Sequence, residues 1–503
     1  MGKKILFFIT LFLFIFVICL NADKFDYDLW ARLIAGMGVV EGGHVLKADF
    51  LSYTPVHIWY DHEWGSGVIF YLFLKYFGPF SLIILEALLY FGIFAIISEI
   101  IRIREKAAPY SILLYILPVM ALEENFNNPV RCHLFSFFLF ALFIYILEQA
   151  RKGKNLGLYF IPPLIIFWNN VHGGVVSGIG LLIMYLAGEI LNNKPFKKYL
   201  ITLLISTPLL LINPWGFDYI KFLLSANTMA RHEIVEWWSI FSKFHMFRLK
   251  LFKLFMLCVV IIETCKLVRI TKAAENIKSW YEKLDKTKII LLLATGYLAI
   301  KHLKLLPFFV ITGTIFAYED FFKLTENLKL PKVKECIIYT VLIVISLIPL
   351  TLKEFSIPLN TNNYPVKEVE FVKINNIKGN VLTNFGLGSF VSYKLHPNNL
   401  IFMDGRYEEV YFDYMIPLLK KFFLVLPGWY EIYEKYPPDV MIIEKYYPVF
   451  DALDKSSEWV KVYQGESFGV FLPKHKVKKE YKQPSNDRKY YKNTLFDTDI
   501  KFN

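Results

Sequence analysis

The run GSGVIFYLFLKYF, from Gly65 to Phe77, decides the fold, because its crossing or not crossing the membrane sets the side of every later loop. Around it the chain reads as membrane protein: 503 residues, 55% hydrophobic, 17% aromatic, mean hydropathy +0.41, with apolar runs recurring for most of the first 350 positions. Further spans are expected near 4 to 21, 80 to 101, 108 to 122, 133 to 150, 157 to 170, 175 to 191, 199 to 213, 251 to 267, 288 to 301, 305 to 322 and 335 to 351. If Gly65 to Phe77 lies in the interface, the inner loops carry 22 Lys and Arg in 59 residues, against 12 in 117 outside. Making it a span inverts the downstream loops and spoils that contrast, so the positive-inside rule favours an interfacial helix.

The expectation is a mainly α, polytopic fold of eleven spans, with the N-terminus inside and the first span retained rather than cleaved. Residues 1–351 form the transmembrane domain, and 22–79 its long first outer loop. Beyond Leu352, β-type runs at Asn380 to Thr383, Leu400 to Met403, Val440 to Ile443 and Phe468 to Leu472 alternate with helix-like stretches. A small outer α/β domain over 352–473 follows, and the Lys-rich 474–503 reads as a disordered tail. The net charge of +12 is clustered in short loops and this tail, which points to topology rather than nucleic acid. Five cysteines lie in or beside apolar runs without CxxC spacing, so neither a disulfide framework nor a metal knuckle is expected.

Nearly every unusual polar residue falls on the outer side. Asp26, Asp28 and Arg32 follow the first span, and a four-residue spacing puts Asp28 and Arg32 on one helical face, as an ion pair or as a site. His62 and Glu63 stand at the mouth of the Gly65–Phe77 helix; the HExxH zinc pattern is absent. Arg131 opens an apolar helix after Pro129, where an arginine either snorkels to headgroups or binds an anion. Asn169, Asn170 and His172 precede a glycine pair and read equally as a helix terminus; Arg231, Glu236, His302 and Lys304 complete the outer set. Carboxylates on one loop and cations on several turns could together activate a hydroxyl and hold a phosphate.

These residues resemble a known group. Asp26-Tyr-Asp28-Leu-Trp30, Gly42-Gly43, Asp49-Phe-Leu-Ser52-Tyr53-Thr54 and His62-Glu63-Trp64, then Pro129-Val-Arg131, Trp168-Asn-Asn-Val-His172-Gly173, Asn213-Pro214-Trp215-Gly216 and Asp404-Gly405-Arg406, look like bacterial membrane proteins of the GT-C glycosyltransferase superfamily. The likeness is distant to lipid A aminoarabinose transferases, protein O-mannosyltransferases and oligosaccharyltransferase catalytic subunits. It implies an inner-membrane enzyme that moves a sugar from a polyprenyl-phosphate or -diphosphate carrier to a glycan, lipid or protein acceptor on the outer face. An acid just after the first span would serve as base. That role falls on Asp28, by its spacing to Gly42-Gly43, or on Asp26, by the Phe25-Asp26 to Arg32 spacing. Glu63 stands where related lipid-to-lipid transferases keep a second acid, without the Lys-Pro-Pro that often follows.

On this reading Asp28 takes the acceptor proton, with Asp26 or Glu63 assisting, and a single displacement inverts the anomeric carbon. Arg131, Lys304 and Arg231 stabilise the departing phosphate, while Arg32, His62, Asn170 and His172 position substrate. Mg2+ or Mn2+ held by Asp26 and Asp28 is one option, since some relatives need a metal and others none. Two other readings use the same features: a transporter or flippase for lipid-linked glycans, which needs ionisable groups deep in the spans, and a non-catalytic scaffold.

Overall fold

The computed structural model describes residues 2–22, 24–105, 110–229, 231–325, 335–352, 357 and 359–502. Asp23, most of the inner loop expected at 323 to 334, and the residues that follow Leu352 up to 356 lie outside the described residues. The chain divides into two compact units, one of Met1–Ala22 with Ile83–Phe355, the other of Asp23–Leu82 with Ser356–Asn503. This corrects the expected division: the first loop belongs with the C-terminal domain, not with the helical one.

The helical unit has a helix within each of the eleven expected spans, but most are short. Among the described residues three helices are long and apolar enough to cross a membrane, Gly2–Cys19, Phe80–Arg104 and His133–Arg151, and shorter apolar helices include Val175–Leu191, Leu303–Ala317 and Ile337–Pro349. Proline accounts for part of the shortening. Pro208 opens a 3-10 segment, Thr207–Leu211, that ends the helix Lys197–Ser206, and Pro162 and Pro163 stand in the first turn of an earlier short helix, Ile161–Val171. Aromatic edges fill the interior, with Phe137 and Phe140 packed on Phe308 and Phe143 on Trp168.

Charged side chains also tie the helices together, more of them than the sequence suggested. Arg104 meets Glu148 at 2.7 Å, and Arg151 meets both Glu189 and Asp285 at 2.9 Å. Lys288 pairs with Asp320 and, at 2.8 Å, with Glu263. Asp285 also caps the helix Lys286–Lys301, accepting the Lys288 N–H at 3.3 Å, so one carboxylate starts a helix and fixes its neighbour. In these clusters opposite charges compensate one another, the arrangement a low-dielectric interior requires.

The second unit is built on a five-stranded sheet. Its strands are β1 (Gly379–Leu382), β2 (Asn399–Ile401), β3 (Val440–Glu444), β4 (Trp459–Gln464) and β5 (Phe468–Pro473), in the order β2-β1-β3-β5-β4. β1 runs parallel to β2 and β3, whereas β5 is antiparallel to both β3 and β4. Four strands lie where apolar runs predicted them. β4 was not anticipated, because its sequence WVKVYQ is mostly half-exposed and carries a lysine.

The first loop extends this sheet from the outside. Ser52 bridges Ile401 in parallel register, with Tyr53 N–H to the Ile401 carbonyl at 3.1 Å and Ile401 N–H to the Leu51 carbonyl at 2.9 Å. Two helices from the same loop, Leu29–Val40 and Trp64–Phe77, pack against each other at Gly36 and Gly67, where a Cβ on Gly36 would strike the Gly67 carbonyl. The 14-residue helix Trp64–Phe77 is about 21 Å long, short of the ~30 Å hydrocarbon layer.

The C-terminal stretch is ordered, against the expected disordered tail. Tyr491, Leu495 and Ile500 are buried, Lys394 donates to the Thr494 and Asp497 carbonyls at 2.7 Å, and Phe496 lies against Trp30 and Phe25. Its apolar residues are too widely spaced to show a period, yet Tyr491, Leu495 and Ile500 are buried against the core.

Candidate functional site

In the second unit the turn Asp26-Tyr27-Asp28 precedes the helix Leu29–Val40. The Asp26 carboxylate is buried and accepts the Asp28 N–H at 3.0 Å, which shapes the turn. Asp28 occupies the N-cap position without making a side-chain cap hydrogen bond, and its Oδ1 lies where a Cβ on Gly405 would have to go. The two acids therefore have different local duties: Asp26 organises backbone, and Asp28 presents its carboxylate beside the Asp404-Gly405-Arg406 turn.

One helical turn on, Arg32 is 3% exposed and is the centre of an ionic cluster. It pairs with Asp61, with Glu409 at 2.8 Å and with Glu63 at 3.5 Å. His62 adds its Nδ1 to Glu409 at 2.9 Å and its Nε2 to Glu63 at 3.6 Å. Trp59 donates its indole N–H to Glu409 at 2.8 Å. Burial alone would lower the His62 pKa, but the charge of Glu63 and the hydrogen bond and charge of Glu409 outweigh it and raise it to about 9. Burial lifts the Asp61 carboxyl to about 6 against the pull of Arg32, while Glu409, also penalised by burial, is held at about 2 by Arg32 and His62.

A second buried knot lies beside the first. Arg406 is 1% exposed; its Nε reaches both Asp404 oxygens at 2.9 and 3.0 Å, one Nη reaches Asp49, and the other donates to the Tyr411 hydroxyl at 3.2 Å. Its guanidinium carbon stands 4.6 Å from the centre of the Trp59 ring. Asp404-Gly405-Arg406 is thus more than a surface turn: it fastens the first loop to the sheet and stops at Asp28.

Among the described residues the group with ligand-like spacing is His62, Glu63 and Glu409, whose atoms lie within 4.8 Å of one another, and the Asp26–Asp28 pair is not part of it. In that group Arg32 already pairs with both carboxylates. A cation in that group would have to displace a buried guanidinium.

In the helical unit, Arg131 follows Val130, whose φ of +63° is a left-handed conformation that a β-branched residue rarely adopts. The strain turns the chain immediately before the helix His133–Arg151 and directs Arg131 to Glu236 in a two-pronged pair, Nη2 to Oε2 at 3.0 Å and Nη1 to Oε1. Burial would raise the Glu236 carboxyl, but Arg131, helped by Lys304, holds it below the usual range. Arg131 and Lys304 line one cavity of about 100 Å³ together with Arg248, His133 and His245, none of which the sequence singled out as cation contributors. Arg231 lies over the Trp237 ring at 4.3 Å.

Asn170 and His172 have visible structural duties. The Asn170 amide donates to the carbonyls of Ile166 at 2.8 Å and Ile212 at 2.9 Å. His172 Nδ1 accepts the Gly174 N–H at 2.9 Å and lies 2.6 Å from the Ser136 hydroxyl, which in turn accepts the Trp168 indole N–H at 2.7 Å. Glu409 is the cluster member that sequence reasoning missed, since an acid in a four-residue helical turn carries no signature.

No protein-family model matches the chain, and no curated protein matches it by sequence. Solved structures do match it by fold, two of them as follows. One is the oligosaccharyltransferase AglB of the archaeon Archaeoglobus fulgidus in complex with an inhibitory peptide and a dolichol-phosphate, at TM-score 0.51 and 8% identity, covering 97% of this chain and 77% of that one. The other is an Archaeoglobus fulgidus oligosaccharyltransferase tethered by a disulfide to an acceptor peptide with an NVT sequon, at TM-score 0.52 and 10% identity with the same coverage. At such identities the likeness speaks for the fold: the chain has a fold like that of the archaeal oligosaccharyltransferases and carries helices long and apolar enough to cross a membrane.

Proposed function

We propose that the protein is a membrane glycosyltransferase that moves a sugar from a polyprenyl-phosphate-linked donor to a glycan, lipid or protein acceptor on the outer face of a bacterial inner membrane, with inversion. The observation that carries this reading is the fold likeness over 97% of the chain to an enzyme captured with a dolichol-phosphate. The two acids that follow the first helix, differently placed by their turn, supply the second support.

An acceptor hydroxyl is a weak nucleophile near neutral pH. Asp28 accepts its proton as the oxygen attacks the anomeric carbon, the bond from that carbon to the carrier phosphate breaks, and the lipid phosphate leaves with the electron pair. Asp26 shapes the turn that presents Asp28, while Arg32 and His62 keep Glu63 and Glu409 in a compensated, rigid cluster. Arg131 and Lys304 in the helical unit stabilise the charge on the leaving phosphate, with Arg231 and Lys304 both lying over the Trp237 ring.

Membranes containing the protein, supplied with a panel of polyprenyl-phosphate and -diphosphate sugars and tested for labelled product, check the reading. A new glycoside with inverted anomeric configuration supports it. Tight binding of every donor with no transfer would instead favour the scaffold or transporter.

A further inference from the structure

The proposed function assigns Arg131 to the leaving phosphate, yet its guanidinium is already paired with Glu236. Glu236 sits on a three-residue 3-10 turn, Val235–Trp237, in the stretch between the helices Phe217–Thr228 and Lys250–Lys272. That turn is fixed through its backbone, independently of the carboxylate. His302 Nδ1 lies 2.6 Å from the Trp237 carbonyl, Leu303 N–H donates to the Trp238 carbonyl at 3.2 Å, and Ile240 N–H donates to the Ile300 carbonyl at 3.2 Å.

Arg131 is aimed from the other side by the strained Val130 backbone, and its side chain is 12% exposed against 31% for Glu236. The cavity at the pair is lined by Arg131, Arg248 and Lys304 against two acids, Glu124 and Glu236, with His133 and His245 beside them. Its volume of about 100 Å³ leaves room for a small tetrahedral anion. A guanidinium fork accepts a carboxylate or a phosphate in the same two-pronged geometry. It cannot accept both at full strength.

We propose that Glu236 is an internal substitute for the carrier phosphate: its carboxylate fills the Arg131 fork in the resting protein and swings out as that phosphate, a monoanionic diester in the donor and a dianion once the sugar has left, takes its place, Arg248 and Lys304 then completing the anion's shell. The proposal rests on the donor reading above and adds a competitor to it. Because the turn is held by its backbone, the exchange moves one side chain and leaves the loop in place. The consequence is selectivity, since a weakly binding anion does not displace an acid already paired in two places.

The test measures binding of two probes, inorganic phosphate and farnesyl phosphate, to the full-length protein in detergent at constant ionic strength, for wild type, E236Q and R131Q. Each variant's thermal melt is recorded alongside. Removing the internal acid is expected to tighten binding about tenfold, and R131Q is expected to weaken it by at least about tenfold. Farnesyl phosphate binding more tightly than inorganic phosphate identifies a lipid phosphate as the ligand, whereas equal affinities identify free phosphate. Binding that needs Arg131 but is no tighter in E236Q overturns the competitor and leaves the donor site standing. Binding indifferent to R131Q overturns both. An E236Q chain that melts far below wild type also contradicts the proposal, because the turn would then depend on the ion pair.

Discussion

The Asp28 carboxylate occupies the space that a side chain on Gly405 would need, so a turn some 375 residues downstream sets the local position of the acid after the first helix. Gly405→Ala is therefore expected to displace Asp28 without unfolding the unit, since Gly405 has no positive-φ requirement of its own. Turnover should fall about tenfold or more, with KM for the donor nearly unchanged, as expected for a misplaced base. Steady-state kinetics check this, with a thermal melt to show that the fold is kept.

His62 gives the second unit a pH signature. Its folded pKa of about 9 lies above the ordinary 6.5, so its stabilising contribution is fully present below pH 6.5 and is lost as the pH rises through 9. Glu409 acts in the opposite direction: held at about 2, it contributes above its ordinary 4.5 and loses that contribution as the pH falls toward 2. Hydrogen exchange of the stretch from Leu51 to Glu63 should therefore quicken between pH 6.5 and 9, beyond the intrinsic base-catalysed rise. In His62→Gln that extra quickening should be absent.

Arg406 is fully buried between Asp404 and Asp49, and removing one partner leaves a charge without compensation. Asp49→Asn is expected to destabilise the second unit by about 3 kcal/mol or more. Arg406→Lys should also lose stability, because an ammonium cannot reproduce the contacts to Asp404, Asp49 and Tyr411 over the Trp59 ring. Denaturant melts of the full-length chain in detergent measure both.

Much of this arrangement was legible in the sequence, and the missing parts have physical reasons. The strands β1, β2, β3 and β5 announced themselves as short apolar runs, whereas β4, with Lys461 among half-exposed neighbours, did not. His62 and Glu63 drew notice as polar residues at a helix mouth, but their partner Glu409 lies about 350 residues away. Spacing cannot report such a meeting, and for the same reason the union of the first loop with the C-terminal sheet was read as two separate regions. The helical unit was read well for the existence of helices and poorly for their length, because proline and charge shorten elements that hydropathy runs together. Val130 gave no hint of its left-handed backbone, since valine is the residue least expected there.

The two acids of the first turn separate by role. Asp26→Asn retains an oxygen that can accept the Asp28 N–H, so it should cost turnover modestly, within about tenfold. Asp28→Asn keeps size and loses basicity, and should lower turnover by about 10² to 10⁴. The most direct measurement is single-turnover transfer from a labelled polyprenyl-phosphate sugar by membranes carrying wild type, Asp26→Asn, Asp28→Asn or the double variant. Wild-type product formation, nearly retained in Asp26→Asn and lost in both chains that lack Asp28, is the predicted result. Transfer at the wild-type rate by the double variant would contradict it.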